Sequence, residues 1–169
     1  MPTVYVRFNI LKVIMKKNSA LIFAGLATVI GGLVHLAAIA GGPSWYAFIG
    51  APDEIIEMVK LGRHYPAKVC WLIATFLFVC ASYAFSGARL LPRLPLLQFA
   101  LFCIASGFLL RGLSFIPIVL FFPDAFVHIT NSRGVDALML LTSLICLVIG
   151  LCYAIGLRQL RQTKRHSVV

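Results

Sequence analysis

SALIFAGLATVIGGLVHLAAIA, from Ser19 to Ala40, runs 22 residues without a charged side chain. At about 1.5 Å per helical residue, such a run covers the ~30 Å hydrocarbon core of a bilayer. Working outward, three more apolar stretches of spanning length follow, near Val69–Leu91, Leu94–Phe122 and Val135–Leu157. In lipid every backbone amide needs a partner within its own segment, so separate spans must be helices. The expected fold class is all-α: an integral membrane four-helix bundle. Pro117 removes one amide from the third span and predicts a bend or tilt in its outer half.

Composition agrees with lipid as the solvent. The chain of 169 residues, a single-domain length, is 61% hydrophobic and only 12% charged, with mean hydropathy +0.98. A soluble domain carries about 25% charged residues. The net charge of +10 would suit nucleic acid, but the charges stand at the edges of the apolar runs, where membrane topology puts them. Nucleic acid is therefore not an expected partner. Cys70, Cys80, Cys103, Cys146 and Cys152 lie in or beside apolar runs with no C-x-x-C pair, and buried single cysteines behave mostly as small hydrophobes.

The positions of the charges also predict orientation. Ten basic residues fall on one side: Arg7, Lys12, Lys16 and Lys17 before the first span, Arg89 and Arg93 between the second and third, and Arg158, Arg161, Lys164 and Arg165 after the fourth. The other side has Lys60, Arg63, Lys68 and Arg133, and it holds all five acids, Asp53, Glu54, Glu57, Asp124 and Asp136. The positive-inside rule puts both termini and the short second loop in the cytoplasm. Residues 1–18 form a cytoplasmic N-terminal segment, 19–157 the four-span domain and 158–169 a basic cytoplasmic tail. Met15-Lys16-Lys17-Asn18 reads like an ordinary bacterial start, so residues 1–14 could be an upstream extension. Met15–Ala40 also has the outline of a signal peptide with Ala38-Ile39-Ala40 as cleavage site, but its apolar core exceeds the usual 7–15 residues. We read it as an uncleaved span.

Membrane helices associate through small residues and polar contacts, so these should mark the inward faces. Span one offers Gly25, Thr28, Gly32 and His35. Span two offers Ala74, Ala81 and Ala88, with Thr75, Ser82 and Arg89 beside them. Span three offers Cys103, Gly107, Arg111 and Ser114, and span four Asp136, Ser143 and Gly150. Arg111 is the most informative of them. A charge at that depth costs about 2.5–3.5 kcal/mol on insertion scales, so it needs an interior site and a counter-charge. It lies roughly 16 Å below the outer end of its predicted helix, with Asp136 the first expected partner and His35 the next. The bland reading is that an Arg–Asp pair merely fixes helix register.

The connection 41–68 is structured. Gly41-Gly42-Pro43 breaks the first helix, and Trp45-Tyr46 sits where interfacial aromatic belts lie. From Pro52 to Gly62, a proline start, early acids and a terminal glycine predict a short interfacial helix in this first outer loop. The outer half would then gather His35, Tyr46, Glu57, His64, Arg111, Asp124, His128 and Asp136. For loop residues such as Asp124 and His128, simple hydration is the plainer reading. For His35 it is one backbone or side-chain hydrogen bond, and His166 belongs to the tail.

No complete catalytic or metal motif is present. No two histidines are close in sequence, and only His35 is within a span, against the two histidines that haem between helices requires. Reactive cysteine pairs and a glycine-rich phosphate loop are absent. The stretch around Asp136 does not reproduce the aspartate pattern of lipoprotein signal peptidases, and His35 stands where small multidrug transporters carry a glutamate. The run Gly41–Pro52, Tyr65-Pro66-Ala67 and Leu110-Arg111-Gly112 resemble a group of uncharacterised four-span bacterial inner-membrane proteins. The resemblance covers most of residues 19–157 and implies the topology and bacterial origin, but no activity.

Three functions stay open. The first is a non-enzymatic binding protein whose outer polar pocket (Arg111 and Asp136, with His35, Tyr46, Glu57 and His64 at the mouth) takes a small amphipathic ligand or a partner helix. The second is a membrane enzyme or redox component using His35 or His64 as acid–base residue or cofactor ligand. The third is a structural accessory subunit of a larger complex. The sequence assigns no cofactor and no metal; the bilayer itself is the one partner it requires.

Overall fold

The computed structural model describes residues 18–114 and 137–165, and these are helical and without strands. Residues 1–17, and with them Pro117, Asp124, His128, Arg133, Asp136 and His166, lie outside the described residues. Six helices follow in order: α1 (Ser19–Gly41), α2 (Pro43–Phe48), α3 (Asp53–Lys60), α4 (Tyr65–Gly87), α5 (Leu97–Leu113) and α6 (Ala137–Arg165). Three of them, α1, α4 and the Leu140–Gln162 part of α6, are long and apolar enough to cross a membrane. The chain is a membrane-spanning protein. The described length of α5, 17 residues, is shorter.

Local chemistry sets the boundaries. Asn18 caps α1 by accepting the Leu21 amide at 3.2 Å, and its Nδ2 donates to the Gly156 carbonyl at 2.6 Å, fastening the start of α1 to α6. Gly42, with φ +68°, breaks the chain out of α1, and Pro43 opens α2 where its missing amide costs nothing. The second long helix begins at Tyr65, four residues ahead of the Val69 read from hydropathy, because Pro66 also falls in a first turn. It ends early as well. Arg89 takes φ +61° and a Schellman pair forms, Leu90 N–H to Phe85 O at 2.9 Å and Arg89 N–H to Ser86 O at 3.1 Å. The buried Ser86 hydroxyl then donates to Pro92 O and accepts the Leu94 amide, stitching down the turn into α5. The last helix runs beyond Leu157 through Arg165.

The long helices pack as two close pairs, α1 with α4 and α5 with α6, joined mainly where α1 meets α6. In the first pair the holes are on α1. A methyl at Gly25 would meet the Phe85 ring at 2.7 Å, and one at Gly32 the Phe78 ring at 2.8 Å. Both glycines and both rings recur at seven residues, so α4 presents knobs at the level of each hole on α1. In the second pair a methyl at Gly112 would press on the Leu147 backbone at 2.9 Å, and Gly150 admits Leu109.

Two buried clusters result. One joins all four long helices near the Asn18 end and contains Leu21, Ala24, Ala84, Leu101, Ile149 and Tyr153. The other, at the opposite end, joins Ala38 and Cys70 to Tyr46 and Ile56 under α2 and α3, and includes nothing from α5 or α6. The four long helices share a buried cluster at one end. At the other the helix pairs have no common buried cluster among the described residues.

Candidate functional site

Where the four-helix cluster ends, a layer of hydroxyls ties the pairs together. Tyr153, fully buried, donates to the Cys80 carbonyl at 3.1 Å, and Thr28 donates to the Ala24 carbonyl at 2.7 Å. The two hydroxyl oxygens lie 3.3 Å apart. Two hydrogens cannot fill three contacts, and the shorter distances assign both to the carbonyls. Phe108 lies parallel to the Tyr153 ring, centroids 5.8 Å apart, so α1, α4, α5 and α6 all meet at this level.

One heptad toward the α2–α3 end the arrangement changes. His35 follows Thr28 by seven residues and Cys146 precedes Tyr153 by seven, so each extends the face of the hydroxyl beneath it. His35 is half-buried and turns back on its own helix: Nδ1–H donates to the Gly31 carbonyl at 2.8 Å, which fixes the hydrogen on that nitrogen. Thr75 does the same, donating to Trp71 O at 2.8 Å. No described hydrogen bond joins α1 or α4 to α5 or α6 at this level.

Arg111 belongs to this second layer. Gly112 sits against Leu147, which sets the Arg111 Cα level with that part of α6. Its guanidinium nevertheless donates to Ser143 Oγ, at 3.4 Å, and lies within electrostatic reach of the Cys146 thiol. The side chain thus climbs about one helical turn, ~5 Å, toward the α2–α3 end, as a snorkelling arginine does. Ser143 is only 4% exposed while Arg111 itself is exposed. A 3.4 Å contact is a weak hydrogen bond, and among the described residues Arg111 has no carboxylate partner.

The remaining candidates separate. Tyr46 is 3% exposed and packs with Ala38, Ile56 and Cys70, so it belongs to the apolar seat of α2 and α3. Burial, then its hydrogen bond with the Cys70 thiol, pushes its phenol up to about 12. Glu57 faces outward and pairs with Lys60 at 2.7 Å, both side chains more than half exposed. His64 is exposed at the start of α4. Asp136 lies outside the described residues. Of the six residues singled out, Arg111 and His35 share a level, and Tyr46, Glu57 and His64 stand in or around the cap. Among the described residues no three His, Cys, Asp or Glu side chains converge as metal ligands.

Tyr153 was not anticipated from the sequence. Its signal was there: a hydroxyl-bearing ring in the middle of the last apolar run, three residues past Gly150 and on the face of Ser143 and Gly150. Compared with protein-family models, curated proteins and solved structures, the chain matches none.

Proposed function

We propose that this is a non-enzymatic four-span protein of a bacterial inner membrane, with both termini in the cytoplasm, which binds an amphipathic ligand in its outer half. Charge distribution supports the orientation: the end carrying Asn18, Arg89, Arg93 and Arg158 is the cytoplasmic one, and α2 and α3 cap the outer end. The apolar sequence that continues beyond Leu113 supports a fourth crossing by α5. In this orientation α3 lies in the interface, with Ile56 toward the bundle and Glu57 and Lys60 toward water.

One observation carries the binding reading. The hydroxyls of the inner layer are engaged across or along the helices, whereas one heptad outward the exposed Arg111 guanidinium is held, among the described residues, by a single weak contact. A charge kept in the membrane at a cost of kilocalories and so loosely partnered is placed to hold something else. The test is native mass spectrometry of the full-length protein from mild detergent. A retained amphiphile that disappears in Arg111→Gln supports the reading. If the wild type carries nothing, or a stoichiometric polypeptide in place of an amphiphile, the reading fails.

A further inference from the structure

We infer that the Arg111–Ser143 site receives the phosphate of an anionic phospholipid, with an acyl chain running down α5 over Gly107 and Cys103. This rests on the proposed binding role and specifies its ligand. The guanidinium has five N–H donors and no acceptor, in a planar fork that matches two oxygens of an oxyanion. An amine or ammonium head is repelled, so the ligand must present oxygen and net negative charge.

The surface beneath the arginine gives the rest of the ligand. Four residues below it on the same face, Gly107 is exposed, and a methyl there would meet no atom within 4 Å. Cys103, one turn further, is exposed too. The inward face of α5 is instead formed by Leu101, Ala105 and Gly112. The line Arg111–Gly107–Cys103 is therefore a shallow channel on the membrane-facing side, charged at its top and floored by small groups. Leu110 stands beside the arginine and is 68% exposed. A free phosphate ion would find no reason for this channel; a lipid fills it with chain and brings its phosphate to the guanidinium.

The experiment measures lipid retained by the full-length protein in native mass spectra after addition of dioleoylphosphatidylglycerol, dioleoylphosphatidylcholine or inorganic phosphate. A single membrane-level arginine gives about a five-fold preference for the anionic lipid. Arg111→Gln should reduce that preference to near unity, and Gly107→Leu should weaken retention of both lipids by filling the channel floor. A Cβ at Gly107 meets nothing within 4 Å, so Gly107→Leu adds its side chain on the exposed face and should keep the fold, and Arg161→Gln, at the opposite end, should change neither result. The inference is overturned if inorganic phosphate binds as well as the lipid, or if Arg111→Gln keeps the preference. It is also overturned if anionic lipid binds only after Asp136→Asn, which would make that carboxylate the native occupant. If an Arg111-dependent amphiphile other than phospholipid co-purifies, this inference falls while the binding role stands.

Discussion

Replacing Tyr153 by phenylalanine removes one oxygen from the level where the two helix pairs are joined, and the geometry limits the consequence. The ring remains, so its parallel stacking on Phe108 and the filled volume are retained. The hydroxyl donates to Cys80 O, which keeps its own helical amide bond, and Thr28 keeps Ala24 O at 2.7 Å. No buried group is orphaned. The cost is therefore one neutral hydrogen bond in a membrane protein, about 0.6 kcal/mol and at most about 1.7. Tyr153→Ala, which also empties the ring volume, should cost about 3–5 kcal/mol. The hydrogen assignment makes a sharper demand. If both hydrogens point to carbonyls, Thr28 and Tyr153 share none, and Thr28→Val with Tyr153→Phe should be additive within about 0.5 kcal/mol. Reversible unfolding in mixed detergent–SDS micelles, followed by far-UV circular dichroism, measures the three single variants and the double one. A coupling above about 1.5 kcal/mol would put the Tyr153 hydrogen on Thr28 and refute the assignment.

Two further expectations concern packing and pH. Gly112→Ala must push a methyl against Leu147 N and Cα at 2.9 and 3.0 Å, backbone that cannot turn aside, and should cost about 1–3 kcal/mol. Gly107→Ala meets nothing and should be neutral or gain up to about 1 kcal/mol of helix propensity; equal losses in the two variants would contradict the helix facing. Tyr46 holds its proton to about 12 when folded against 10.0 when free, so the native state binds more protons between those values. Its stabilisation is complete below pH 10 and declines as pH rises through about 12. The unfolding midpoint of the wild type should fall more steeply across that window than that of Tyr46→Phe, and parallel curves would disprove the shift.

Hydropathy and charge made the long helices legible, because lipid imposes one requirement on every residue of a span. The small inward residues of α1, α4 and α6 were legible too: Gly25, Thr28 and Gly32, then Ala74, Ala81 and Ala88, then Ser143 and Gly150 are all buried, whereas His35 is half-buried and Thr75 and Arg89, expected beside the alanines, are exposed. For α5 the same rule gave the opposite face. Cys103, Gly107, Arg111 and Ser114 are exposed, and Leu101 and Ala105 are buried in their place. The rule assumes that each helix supplies its own small residues, but close approach needs a hole on only one partner. Here α6 supplies Gly150 and Gly156, which receive Leu109 of α5 and Leu21 of α1. Large residues of α5 could therefore turn inward.

That inversion bears directly on the arginine. On a helix whose small face were buried, Arg111 would point into the bundle and would need an internal counter-charge, as the sequence alone implied. With the face turned outward, the same residue reaches sideways to Ser143 and stays exposed. Exposure then leaves the charge open to its surroundings, and a mobile anion can meet it where a fixed carboxylate need not. A polar residue in an apolar run announces that something must solvate it. Which side of the helix the solvating group comes from depends on where a neighbouring helix keeps its glycines, and no reading of a single span contains that information.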